Sequence, residues 1–256
     1  MNKKPLISIL LPVHNSEKHL RESLQSLVSQ KYRNIEIIAI DDMSSDSSYK
    51  ILKSFKKNYK KLRIYRNVKR YGIVMTLNRL LRKAKGEFIA FAEADDITSK
   101  QRVKKQVNYL LGNENVVAVG TQCRFINRRG RLVGKSSFPL ENHNIYDSTL
   151  HGVSIQFETV MINKNLLPKD ILKFESNTPF IYSDFLIKLL PYGKFANLPN
   201  FLHYHRSYPQ TYLLDLKKNV FSLIKLWVRG NAFYNYQPSL RQFFLTLVRT
   251  TNIKAS

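Results

Sequence analysis

The chain has 256 residues, 43% of them apolar, which is enough to bury one sizeable core and too apolar for a disordered polymer. Lys and Arg outnumber Asp and Glu by 42 to 18, giving a net charge of +24, so an anionic ligand or surface is expected. No apolar run approaches the ~18 residues a spanning helix needs, no small-residue cleavage site follows the basic start, and the single Cys123 excludes an internal disulfide.

Residues 6–13 form a continuous apolar run through Pro12-Val13, the pattern of a strand buried on both faces. Asn15 or Ser16 can cap the next helix, in which Leu20, Leu24, Leu27 and Val28 recur at helical spacing. Residues 35–40 are a second buried strand ending at Asp41-Asp42. A turn rich in Ser and Asp leads to a helix with Ile51, Leu52 and Phe55, and residues 62–65 read as a third strand. Gly72 opens a helix that places Ile73, Leu77, Leu80 and Leu81 on one side, and Gly86 ends it. Residues 88–92 are a fourth strand running into Glu93-Ala94-Asp95-Asp96; a helix at 99–111 and a strand at 116–119 follow. Strands alternating with helices of ~10–15 residues imply right-handed βαβ units and a mostly parallel sheet. Both acidic clusters end strands, at the edge where open α/β sheets bind ligands.

After Gly120 the rhythm changes. Residues 125–133 around Arg129-Gly130 read as a hairpin, 159–162 as a short strand, 183–190 as a helix and 194–198 as a closing strand. Gly130 to Ser136 imitates a phosphate loop but is one residue short and does not precede a long helix, so it reads as the hairpin turn. His203 and His205 share one strand face with no third metal ligand near them in sequence. Beyond Lys217 there is no Asp or Glu, and two apolar-basic stretches, 220–228 and 240–248, flank Pro238. Each suits either a membrane interface or packing on the domain. No recognisable nucleic-acid module or single basic stripe interleaved with aromatics occurs, so nucleic acid is not the expected partner.

Asp41-Asp42 and the Glu93–Asp96 cluster each admit two readings: a capping turn, or a ligand site in which alternate carboxylates face one hard cation such as Mg²⁺ or Mn²⁺. The ordered set Pro12-Val13-His14-Asn15, Gln30-Lys31-Tyr32, Ile35 to Asp46, Asn67 to Gly72 with Leu77-Asn78, Ala84 to Phe91, Glu93 to Asp96, Arg102, Gln106-Val107 and Val119-Gly120-Thr121 resembles family 2 glycosyltransferases. The resemblance covers residues 6–205 and implies an α/β fold of GT-A type. It implies a domain at 1–212, with a nucleotide half at about 6–120 and an acceptor half at about 121–212; the basic stretches make 213–256 an amphipathic helical extension. Carried over, Pro12, Val13, Asn15, Asp42, Asn78 and Asp96 would bind the nucleotide, and Glu93 and Asp95 a divalent metal. The partners implied are a nucleoside diphosphate sugar and a glycan or lipid-linked acceptor, and the reaction is an inverting displacement. The location implied is cytoplasmic, with peripheral attachment to an anionic inner membrane face as what the basic stretches add.

This chain departs from the family pattern. Glu93 replaces the Asp that usually begins the metal motif. Tyr192 to Pro199 sets the register in which Ile181 and Tyr182 stand where the family carries Glu-Asp, the source of its catalytic base. Gln156-Phe157-Glu158 replaces the family's His-Pro or His-Ser. Asp184 and Glu158 are therefore the candidate catalytic carboxylates, and a non-catalytic nucleotide-sugar-binding or scaffolding relative is the alternative.

Overall fold

The computed structural model describes residues 4–148, 154–175, 178–206, 220–237 and 253–254. β1 (Ile7–Val13), β2 (Ile35–Asp41) and β3 (Leu62–Arg66) pair in parallel, and β4 (Phe88–Phe91) pairs in parallel with the other edge of β1. Successive side chains of a strand point to opposite faces, so these apolar runs feed two cores. Ile9 and Leu11 of β1, with Ile37 and Ala39 of β2, join one core; Leu10, Ile38 and Ile40 join the other.

Helices at 3.6-residue spacing close both faces. α1 (Leu20–Val28), α2 (Ser48–Asn58) and α4 (Arg102–Leu111) cover the first core through Leu24, Leu52 and Val107. α3 (Ile73–Lys83) covers the second through Leu77 and Leu80, and Gly72 at its start takes φ +83°, which the missing Cβ permits. Between α4 and β4 lies the two-residue strand β5 (Ile97–Thr98), so α4 begins three residues later than the expected 99.

In the second half short antiparallel pairs join the parallel strands. β6 (Val116–Ile126) runs on through Gly120 into the hairpin with β7 (Leu132–Ser136). The start of β6 pairs antiparallel with β8 (Met161–Asn163), which pairs antiparallel with β4, so the sheet is mixed from β4 onward. β8 begins two residues after the expected 159, because a single 3-10 turn, Phe157–Thr159, precedes it. β9 (Lys194–Arg206) lies parallel to β6 and is longer than the expected 194–198; register shifts at Gln122 accommodate Pro199 and let it continue. Its far end pairs with β5, aligning Ile97 with Tyr204 and Thr98 with His203.

α5 (Asn142–Ser148) and α6 (Ile181–Ile187) complete the body, with Phe185 and Ile187 of α6 in the second core. The first apolar-basic stretch opens α7 (Val220–Tyr234), which packs on that core through Leu223 and Leu226. The second stretch, 240–248, and the boundary expected at 212 lie outside the described residues. Ile253–Lys254 forms the edge strand β10 against β7. No helix among the described residues is long and apolar enough to cross a membrane.

Gly86 sits where β4 enters against β1, and a Cβ there would lie 2.6 Å from the Ser8 backbone nitrogen and 2.8 Å from the Leu6 and Phe88 carbonyl oxygens. These are backbone atoms that cannot swing aside. Gly86→Ala is expected to destabilise the protein by about 2–3 kcal/mol in urea denaturation.

Candidate active site

At the C-terminal ends of β1, β2 and β4 the chain leaves a cleft of about 330 Å³. Pro12, Val13 and His14 form one wall, Asp42, Gly72 and Thr76 a second, and Glu93 and Asp95 the end. Asp42 is buried, and its carboxylate accepts N–H bonds from Tyr71 and Gly72 at 2.8 Å each and from the Asn67 amide at 2.5 Å. Burial opposes its ionisation, but the bonds from Tyr71, Asn67 and Gly72 outweigh that and hold the carboxyl below its ordinary range. Asp42 therefore shapes the loop before α3 as well as facing the cleft. His14 bonds the Asp42 carbonyl through Nδ1 at 2.9 Å.

Two residues expected at the nucleotide lie elsewhere. Asn15, with φ 49°, ties the β1 loop to the β2 loop by accepting from the Ser45 N–H at 2.9 Å, and it borders the neighbouring depression beside Asp95. Asn78 faces away from the cleft: its amide donates to the Phe174 carbonyl at 2.9 Å and accepts from the Phe174 N–H at 2.8 Å. Arg70, at the cleft rim, was legible only as part of the Asn67–Gly72 motif.

The cleft floor is a crowd of carboxyls. Glu93 is half-buried, and the turn before β8 delivers Glu158, 95% buried, to within hydrogen-bond contact of it. Pairing of β8 with β4 brings these groups together across 65 residues of sequence. Burial, then repulsion from Glu158 and Asp96, raises the Glu93 carboxyl well above its usual range. A hydrogen bond between two carboxyls needs a proton, which fits that direction. Gln156 donates to Glu158 at 2.5 Å. Arg102, fully buried behind the cluster, donates to the Phe91 carbonyl at 3.0 Å; burial lowers it to about 10, with Glu158 and Asp96 opposing. Asp95 is exposed at the mouth, and no hydrogen bond among the described residues occupies its carboxylate. Partial burial raises its carboxyl, and the His19 charge opposes this.

Asp96 points the other way. One oxygen accepts from His203 Nε2 and His205 Nδ1, both at 2.8 Å, and the other from the Arg206 N–H at 2.8 Å. The two histidines thus have the third partner that sequence proximity did not show, because β9 runs past Pro199 and meets β5. The ligand atoms of Asp96, His203 and His205 lie within 4.8 Å of one another, close enough to share a metal ion. Their mutual hydrogen bonds fill that space, whereas Asp95 and Glu93 offer hard oxygens to the cleft. Burial opposes ionisation of Asp96, yet His205 and His203 hold it far below its ordinary range. Burial likewise opposes charging His205, but Asp96 lifts it to about 10.

Asp184 does not join the cluster. It is fully buried in α6, and its nearest charge is Arg229 of α7 at 3.5 Å. Burial raises its carboxyl, opposed by Arg229 and Lys188. Both its oxygens lack a hydrogen-bond partner among the described residues. The α6 residue that does reach the carboxyls is Tyr182, whose ring stacks on Phe157 at 4.3 Å and whose hydroxyl pKa is raised by burial and then by Glu93 and Glu158. The helix register therefore turns Tyr182 toward the cluster and Asp184 toward α7.

The sequence model for glycosyl transferase family 2 matches residues 8–167, a stretch that includes the cleft walls and every carboxyl of its floor. The chain belongs to this family. An uncharacterized glycosyltransferase of Haemophilus influenzae is 30% identical over 184 residues, 71% of this chain and 71% of that protein. The fold is similar to that of S. aureus TarS 1–349 in complex with UDP, with TM-score 0.71 and 20% identity, covering 94% of this chain and 69% of that one. It is also similar to the mannosyltransferase PcManGT from Pyrobaculum calidifontis in complex with GDP-Man and Mn²⁺, with TM-score 0.68 and 16% identity over 96% and 69% of the two chains. The architecture is thus of GT-A type, and the family makes this chain a glycosyltransferase. Its departures at 181 and 182 lie beyond the residues the family model matches.

The ion cluster at Asp96 has a definite pH signature. The contribution of Asp96, whose folded pKa is depressed, is present above the unfolded aspartate value of about 4 and lost as pH falls. That of His205 is complete below the unfolded histidine value of about 6.5 and lost as pH rises through about 10. Asp96→Asn should cost roughly 3 kcal/mol in urea denaturation, with the gap from wild type widest between about pH 4 and 6.5 and narrower on either side.

Proposed function

We propose that this glycosyltransferase moves a sugar from a nucleoside diphosphate sugar to a hydroxyl of a glycan or lipid-linked acceptor, in one inverting displacement. The observation that carries the reading is the Glu93–Glu158 carboxyl pair at the end of a cleft walled by Pro12, Val13 and Asp42. TarS with UDP and PcManGT with GDP-Man supply the donor class. In this reading residues about 6–120 hold the nucleotide and about 121–212 face the acceptor.

The donor set fits a divalent cation. Asp95 presents a carboxylate without a hydrogen bond among the described residues, Glu93 lies beside it, and burial raises both carboxyls, with repulsion from neighbouring carboxylates adding to it. Mn²⁺ or Mg²⁺ suits such hard oxygens, and when bound it would neutralise charge on the leaving diphosphate. Pro12, Val13 and His14 would seat the nucleotide, with Asp42 at the base or ribose. Asp96 acts indirectly, by anchoring the Asp95 loop to β9.

Glu158 is the proposed base. It comes from the turn before β8 and lies near Tyr182 of α6, so in this reading it takes over the role that Ile181 and Tyr182 cannot fill. The acceptor oxygen bonds to the anomeric carbon as the bond to the diphosphate oxygen breaks, and the hydroxyl proton passes to the Glu93–Glu158 pair. Glu158→Gln should lower kcat by about 10²–10⁴-fold, and Asp184→Asn should leave it within about threefold. Full turnover in Glu158→Gln would remove Glu158 from this role.

The burial of Glu158 and the Tyr182 ring over Phe157 favour a second reading, a nucleotide-sugar-binding relative without turnover. Calorimetry with UDP, GDP and dTDP, with and without Mn²⁺, followed by donor hydrolysis assays, separates the two. Metal-dependent binding with slow hydrolysis supports the enzyme; binding with no hydrolysis or transfer supports the second reading.

A further inference from the structure

α7 is apolar on both sides. Its inner side, Leu223, Leu226 and Gly230, is buried, and a Cβ on Gly230 would meet Tyr236 at 3.1 Å and Ile187 at 3.4 Å. The Arg229–Asp184 ion pair at 3.5 Å and the Tyr236 hydroxyl bond to the Tyr146 carbonyl at 3.0 Å also hold this side to the body. Its outer side carries Phe221, Ile224 and Val228, exposed by 83%, 38% and 51%, while Phe233, 78% exposed, lies at the C-terminal end about 120° round the helix from Phe221. The first three recur at helical spacing with exposed Lys225 among them, so they form a stripe. An exposed apolar stripe headed by a phenylalanine this bare marks an interaction surface.

Charge selects the occupant. From Lys217 onward the sequence holds Lys217, Lys218, Lys225, Arg229, Arg241, Arg249 and Lys254 and no acidic residue. A second copy laid on this face would bring the same positive charge, inside a chain that already carries +24. An anionic lipid surface offers what both features require: a hydrocarbon boundary for the apolar stripe and phosphate for the lysines. The helix has 15 residues, about 22 Å, too short to span a bilayer. We infer that the outer face of α7 lies in the interface of an anionic membrane, through Phe221, Ile224 and Val228 with Lys225. The packing of α7 on α6, the helix that carries Tyr182, then holds that helix at a set distance from the lipid. The inference stands on α7 alone and does not depend on the donor or base proposed above.

The test uses the full chain with phosphatidylcholine vesicles, with and without phosphatidylglycerol. Co-sedimentation is expected only with phosphatidylglycerol. Phe221→Ser combined with Val228→Ser should weaken it by roughly tenfold or more, and Lys225→Glu by about fivefold or more. Unchanged thermal midpoints would show that these exposed substitutions leave the fold intact. Without any variant, amide hydrogen exchange in α7 of the wild-type protein should slow on adding the anionic vesicles. No binding, binding equal for both vesicle types, or α7 exchange indifferent to vesicles would overturn the inference. So would a dimer in solution that the Phe221→Ser, Val228→Ser pair dissociates, since that would assign the face to a second copy.

Discussion

The buried carboxylate of Asp96 joins the two halves of this molecule at the point where they must meet. It ends the loop after β4 and accepts from two imidazoles and a backbone N–H supplied by β9, more than a hundred residues later. A desolvated charge is stable only with such partners, so the loop that carries Glu93 and Asp95 is held to one geometry. Arg206 reinforces the joint from the same strand, donating to the Asp95 carbonyl at 2.8 Å and pairing with Glu22 of α1 at 2.8 Å. The cleft, the carboxyl cluster and the long course of β9 all depend on this anchorage.

With that loop held, the chemistry of the site follows from crowding. Glu93, Glu158, Asp95 and Asp96 lie together, offset by Arg102, Arg206 and the histidines, and burial with this crowding raises the carboxyls of the two groups nearest the cleft end. Asp96 escapes because its charge is compensated twice; Glu93 and Asp95 are not so compensated. The same crowding that makes this edge costly in isolation makes it receptive to a cation and to a proton, which are the two demands of glycosyl transfer.

The altered residues of α6 and of the turn before β8 are neighbours in space. Tyr182 lies flat on Phe157, next to Glu158, so the aromatic stack occupies the ground between the two positions at which this chain departs from its family. Asp184, only two residues from Tyr182, projects to the opposite side of α6 because residues two apart on a helix diverge by about 200°.

Much of this was legible in the sequence. The apolar runs at 6–13 and 35–40, the glycines at 72 and 86, and the acidic strand ends determined the βαβ half and the edge that would carry the site, since these are local signals of period and turn chemistry. The motif order placed Pro12, Val13, Asp42, Glu93 and Asp95 on one cleft. Tertiary structure alone decided the rest. The partnership of Asp96 with His203 and His205 depended on how far β9 continues beyond Pro199, a register that pairing with β6 and β5 sets. The meeting of Glu158 with Glu93 depended on antiparallel pairing of β8 with β4. Asn78 and Asp184 carried plausible side chains at plausible positions, but the face of the helix on which each fell sent one to Phe174 and the other to Arg229. Period and turn signals are written within a few residues of each other, whereas strand pairing and helix rotation are set by what the whole core can bury.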